Sequence, residues 1–242
     1  MDLIYCAAGN QRFMEIAVAA GYRYGAQLPR TVYGPLYFVD QDWTRPNRSA
    51  YLAALAAHRP HMATVLDWER PDQLSEVLGW AEDAAAFVDR VLIIPKVIGG
   101  IDQIPRQVGG KPVVLAYSVP TTYGGTPIHP CKFVGWPVHL LGGSPPWQMR
   151  LWRYFRQLEA EGAPPTPVVS VDGNYAQKLA TGRCQFWVPG TATAARNRWA
   201  PTLQEADGQR WAGDGPAEAF RRSCVNIIAA WRQLTQLPLL AG

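Results

Sequence analysis

The chain has 242 residues, 48% of them hydrophobic and 17% charged, which excludes a disordered protein and suits one large domain or two small ones. Its 22 Gly and 21 Pro fall between apolar runs along the whole length, which excludes collagen-like and low-complexity sequence. The net charge of +4 lies entirely in residues 150–242, with 11 basic and 7 acidic side chains, and 19 of the 23 basic residues are Arg, a bias that permits phosphate binding and that GC-rich coding would also produce.

In chain order, the first apolar run, Leu3–Ala7, predicts a strand, and Gln11–Ala20 a helix with one apolar face. Leu36–Val39 is the next strand, and Asn47 can cap a helix over Arg48–Ala57. Met62–Leu66 follows as a strand, then Pro71 opens a helix reaching about Val88. Val91–Pro95, Val113–Tyr117 and Val138–Leu141 are strands, Gln148–Glu161 a long helix, and Val168–Val171 and Gln185–Val188 the last two strands. A helix over about 215–234 closes the chain and is expected to pack on the rest.

Strands alternating with helices imply a parallel sheet, and eight strands in this length match a single α/β domain, a compact (β/α)8 TIM-type barrel over 1–242. An open doubly wound sheet is the alternative, but neither GxGxxG nor GxxxxGK[ST] is present to support it. The four Cys (Cys6, Cys131, Cys184, Cys224) form no CxxC, so neither a disulfide framework nor a zinc subdomain is expected. No apolar run approaches the roughly 20 residues of a membrane helix, and the start Met1-Asp2-Leu3-Ile4-Tyr5 has no basic segment. A soluble, cytoplasmic protein with no membrane partner is the expectation.

In a parallel barrel the chemistry gathers at the C-terminal strand ends. Three predicted strands end in an Asp: Asp40 before Gln41-Asp42-Trp43, Asp67 before Trp68-Glu69-Arg70, and Asp172 before Gly173-Asn174-Tyr175. Three others lead into Gly pairs: Gly99-Gly100 after Lys96, Gly124-Gly125 after Ser118 and Tyr123, and Gly142-Gly143 before Ser144. Any one Asp could merely cap the next helix. Three at equivalent positions would repel one another around an empty mouth, so a shared use is the stronger reading. Two carboxylates suit glycosyl transfer, and a third could read the donor edge of a base. They could also hold a divalent metal, but His58, His61, His129 and His139 form no HxH or HExxH pattern. His58 and His61 precede a strand, at the wrong end of the barrel, and His139 lies within one, where a core histidine is the ordinary reading. Cys6 and Cys224 read as small core side chains.

Taken in order, the segments Phe38–Trp43, Ala63–Arg70, Ile93–Val97, Tyr117–Thr121, His139–Pro145 and Ser170–Tyr175, with Ala219–Ile227 later, resemble the guanine transglycosylases, and most closely the short phage-type group that places 7-deazaguanines in DNA. The resemblance implies a (β/α)8 barrel whose Asp172 is the nucleophile, Asp40 the acid/base and Asp67 the guanine reader. It places Lys96, Tyr117, Ser118, Gly142, Gly143 and Asn174 around the substrate. The implied partners are DNA, duplex or locally opened, and a free 7-deazaguanine base, with no cofactor and no metal. If phage-encoded, the protein would work in the host cytoplasm. The tRNA-acting members carry a Cys-rich zinc site that these four Cys cannot form, and they are longer, so tRNA is the less favoured substrate.

Trp43, Trp68, Tyr117 and Tyr123 could stack on a base or simply pack. Arg150, Arg153, Arg196, Arg198, Arg221 and Arg222 could hold phosphates, whereas Arg221 and Arg222 could instead pair with Glu218 or Asp214. Two other function classes remain open from the residues alone: a metal-assisted barrel lyase or hydrolase using the Asp cluster, and a catalytically inactive nucleic-acid-binding accessory protein.

Overall fold

In the computed structural model, residues 1–7, 10–121, 124–190, 200–208 and 213–236 are described. Eight parallel strands close into a barrel: β1 (Asp2–Cys6), β2 (Arg23–Leu28), β3 (Phe38–Gln41), β4 (Met62–Thr64), β5 (Arg90–Ile93), β7 (Lys111–Ser118), β8 (Val138–Leu141) and β9 (Val168–Gly173). Pairing of β9 with β1 and of β5 with β7 completes the ring. The two-residue strand β6 (Gln107–Val108) adds an antiparallel ribbon to β7 outside it. The (β/α)8 expectation is met.

Helices α1 (Gln11–Ala20), α2 (Arg48–His58), α3 (Leu74–Ala85), α4 (Pro145–Ala160), α5 (Tyr175–Arg183), α6 (Leu203–Asp207) and α7 (Gly215–Gln236) surround the barrel. Asn10 and Asn47 cap α1 and α2, their side chains accepting the Phe13 and Ala50 N–H groups at 3.1 and 3.0 Å. Pro71 opens a 3₁₀ turn, Pro71–Gln73, that leads into α3. Among the described residues the connections after β2, β5 and β7 hold no α-helix, with the 3₁₀ turns Ile101–Gln103 and Pro130–Phe133 after β5 and β7, so the helical jacket is uneven. The long α7 packs on α1 and α5, with Phe220 against Tyr5 and Phe13 at ring separations of 5.2 and 4.7 Å. Among the described residues no helix is long and apolar enough to cross a membrane.

One barrel strand was not expected and one expected strand needs correction. Arg23–Leu28 is a barrel strand although Arg-Tyr-Gly-Ala-Gln-Leu is no apolar run; its Gly25 leaves room for the Phe38 ring, which a Cβ there would approach to 2.8 Å. Gln185–Val188 is not a strand. Gln185 makes an isolated bridge to Thr202, and Trp187 is held beneath α7 by side chains: its N–H donates to Ser223 Oγ at 2.9 Å and its carbonyl accepts from Asn226 Nδ2 at 2.8 Å. Apolar burial that reads as a strand is here an extended segment under a helix.

The main core lies between strands and helices; a smaller one, Ile4, Phe38, Met62, Leu92, Ile94, Val114 and Ala116, fills the barrel interior. One irregularity positions the site. Val138 pairs with Val168, but His139 pairs with Ser170, so β9 carries one extra residue, Val169, opposite β8. Val168 and Val171 pack outward, while Val169 packs on the interior cluster and Ser170 bonds to His139 within it. The bulge thereby brings Ser170 and Asp172 to the interior face together.

Candidate functional site

Asp172, Asp40, Thr64 and Cys6 gather toward the C-terminal ends of β9, β3, β4 and β1, and His139, the second residue of β8, lies buried against Asp172. Asp172 is buried, and its Oδ1 accepts the Gly142 N–H at 2.8 Å and faces His139 Nε2 at 3.2 Å. Among the described residues Oδ2 has no hydrogen-bond donor. The Gly142-Gly143 turn delivers that N–H, with φ of +68° and +81°. A Cβ on Gly143 would lie 2.6 Å from Val119 Cγ1, so only glycine fits there. Gln148, in the first turn of α4, ties the turn to the strand by donating Nε2 to the carbonyls of Gly142 and Asp172, both at 2.7 Å.

Asp40 is half-buried at the end of β3. Burial pushes its carboxyl up to about 8, the charge of Asp172 adds to the rise, and a hydrogen bond from Thr64 Oγ1 at 3.0 Å opposes it. Cys6 ends β1 beside both carboxylates; burial, then Asp172 and Asp40, hold its thiol well above the ordinary range, so it remains S–H.

Asp67 and Lys96 are brought together because pairing continues past β4 and β5. Trp68 N–H donates to the Ile94 carbonyl at 3.0 Å, and Lys96 N–H to the Trp68 carbonyl at 2.9 Å. Lys96 Nζ then bridges Asp67 Oδ2 at 2.6 Å and Glu69 Oε1 at 2.8 Å. Burial raises the Asp67 carboxyl despite the lysine, while the bonds to Asp67 and Glu69 outweigh burial and raise Lys96. Asp67 Oδ1 has no hydrogen bond among the described residues and can receive a donor from a ligand.

The remaining expected site residues divide. Ser118 ends β7, its carbonyl accepting the Thr126 N–H at 2.9 Å. Asn174 starts α5 without a side-chain cap bond. Tyr117 is not brought to the lumen: it is buried on the outward side of β7, its ring edge-on to Phe133 at 5.0 Å. Trp68 is fully buried over Gly100, so it packs and offers no stacking face. Trp43, 55% exposed after β3, and Trp147, 42% exposed at the start of α4, stand on the rim.

Arg150 lies over the Trp147 ring at 4.6 Å, and Arg153 is exposed on the same helix. Arg221 makes two bonds to Glu218, at 2.8 and 2.7 Å, and Arg222 pairs with both Glu218 and Asp207, so their charges are already matched; Asp214 pairs instead with Arg12. Arg196, Arg198 and Tyr123 lie outside the described residues.

His139, Ser170 and Thr64 were not singled out as site residues by sequence reasoning, and Cys6 was read as core. The usable signal was strand parity. His139 is opposite in parity to the outward Val138, and Thr64 shares the face of Met62. For Ser170 the bulge conceals that signal.

A family model of unknown function, DUF6610, matches residues 14–232. The chain belongs to DUF6610. The match spans the barrel from α1 into α7 and includes Asp40, Asp67, His139 and Asp172. A search of the curated proteins finds no match for this DUF6610 chain. Its four cysteines are free, and no group of three His, Cys, Asp or Glu among the described residues could hold a metal ion, so the metal-assisted reading has no donor set there.

Proposed function

We propose that this chain is a base-exchange glycosyltransferase that replaces guanine in DNA by a 7-deazaguanine base. The observation that carries the reading is a pair of carboxylates at one barrel mouth with contrasting surroundings. Asp172 has one oxygen held by the Gly142 N–H beside His139 Nε2 and the other without a donor among the described residues, while Asp40 is pushed up to about 8 and keeps its proton at neutral pH. Two carboxyl groups whose environments separate their roles are what double displacement at a sugar carbon requires.

Asp172 Oδ2 attacks C1′ of an unstacked deoxyguanosine. The bond from C1′ to the base breaks, its electron pair leaves with guanine, and Asp40 supplies the proton. The glycosyl ester on Asp172 is then attacked at C1′ by the incoming base, which gives its proton to the Asp40 carboxylate and returns the bonding pair to Asp172. Asp67, with Oδ2 on Lys96 and Oδ1 open, suits the N–H edge of guanine. Flipping the nucleotide costs a few kcal/mol, and the rim tryptophans offer faces on which neighbouring bases could stack.

The test is release of labelled guanine from duplex DNA in the presence of a free 7-deazaguanine base, with tRNA as the comparison. Guanine release that depends on Asp172, together with a protein–DNA adduct in denaturing mass spectrometry, is expected. DNA binding without release or adduct would instead favour an accessory binding protein.

A further inference from the structure

The buried row behind Asp172 has a hydrogen-bonding logic of its own. His139 is fully buried, its ring 5.0 Å from that of Phe38, with Nε2 3.2 Å from Asp172 Oδ1 and Nδ1 2.7 Å from Ser170 Oγ. A carboxylate oxygen has no proton to give, so Nε2 must carry the hydrogen. In neutral imidazole, Nδ1 is then the acceptor, and the Ser170 hydroxyl must donate to it. Among the described residues the other acceptor near that hydroxyl is Met62 Sδ at 3.7 Å, a long contact to a weak acceptor. Every group in the row therefore has one assigned role.

We propose that His139 is a positioning residue, locked as the Nε2–H tautomer by Ser170, which with the Gly142 N–H holds Asp172 Oδ1, reserves Oδ2 for the sugar carbon and stabilises the charge that returns to the carboxylate when the incoming base displaces it. Oδ1 is a carboxylate oxygen before attack and the ester carbonyl oxygen afterwards. In both states it accepts, so the same two donors serve both steps without rearrangement. Their effect is greatest where charge builds on Oδ1, in the displacement of Asp172 by the second base. The catalytic consequence rests on Asp172 being the reacting carboxylate; the tautomer does not.

The first measurement is therefore independent of activity. Nitrogen-15 spectra of the histidine side chains in the ligand-free protein, assigned with His139→Phe, are expected to show His139 protonated at Nε2 and unprotonated at Nδ1. An Nδ1–H tautomer overturns the proposal whatever the protein acts on.

The second measurement uses exchange. His139→Phe keeps the ring shape and removes the donor. It should lower kcat by about 100-fold, leave KM for the free base within about twofold, and cause the covalent DNA adduct to accumulate because its breakdown is slowed. Ser170→Ala should slow exchange in the same sense, with Ser170→Thr, which retains a hydroxyl, restoring it. This pair keeps the test available if the His139 variant does not fold. A merely structural role would lower the melting temperature without adduct accumulation. That result, or full turnover in either His139→Phe or Ser170→Ala, rejects the positioning role.

Discussion

Thr64 Oγ1 lies 3.0 Å from Asp40 Oδ1 and also accepts the Gln41 N–H at 2.8 Å, so its one hydrogen points at the carboxyl group. The hydroxyl thus occupies Oδ1 and leaves the Asp40 proton to Oδ2, and it restrains the rise that burial imposes. Thr64→Val should move the alkaline limb of the exchange profile upward by raising Asp40 further. It should also cost about 1–3 kcal/mol of stability because the Gln41 N–H loses its acceptor. Thr64→Ser should keep both properties. The check is a pH–rate profile with thermal melts; an unmoved alkaline limb in Thr64→Val would separate Asp40 from the titration.

Asp40 itself links function to stability. Its folded pKa near 8, against an ordinary value of 3.8, means that between these limits the folded chain holds a proton the unfolded chain has released. The stability this gives is full below about pH 4 and disappears as the pH rises through 8. Asp40→Asn should abolish exchange yet gain melting temperature relative to the parent as pH rises from 5 to 9. Equal differences at both ends of that range would contradict the assignment.

Lys96 neutralises Asp67 and Glu69 from a largely buried position. Lys96→Met leaves Asp67 without its cation and should cost about 2 kcal/mol. The loss should be larger at pH 8 than at pH 5, because a protonated Asp67 needs no partner. Weaker binding of the free base should accompany it, measured by calorimetry.

The arginines should separate in a salt series. Arg150→Ala with Arg153→Ala should flatten the log–log dependence of DNA affinity on salt by up to about one unit per lost phosphate contact. Arg221→Ala with Arg222→Ala should leave that slope unchanged and lower stability by about 1 kcal/mol through the loss of pairing to Glu218 and Asp207. A flattened slope in the second pair would place phosphates at α7.

Seven barrel strands were legible because runs such as Val-Val-Leu-Ala-Tyr in β7 are apolar on both faces, as a sheet covered by helices and filled inside demands. The eighth, β2, was hidden because its interior position is Gly25 and its first residue is an exposed Arg. The three acidic strand ends could be read from spacing, since each Asp closes a run of β-type residues. What spacing could not supply was direction. Tyr117 and Ser118 are neighbours in sequence, yet the Tyr117 ring packs outward against Phe133. His139 was legible as core, but its bond to Asp172 depends on pairing between two strands.

The extra residue at Val169 acts as a change of reading frame for a polymer that is read in twos. Counted by simple alternation from the outward Val168, Asp172 would share the helix-facing side and Val171 would enter the lumen. Deleting Val169 would remove only that extra residue, and Ser170 and Asp172 would still face the lumen by simple alternation from Val168; straightening β9 with Val169 retained would instead exchange the carboxylate for an isopropyl group at the barrel mouth. Between chains with and without the extra residue the gap therefore belongs at Val169, where strand pairing places it, because a gap set beyond Asp172 would align that carboxylate with a residue on the other side of the wall.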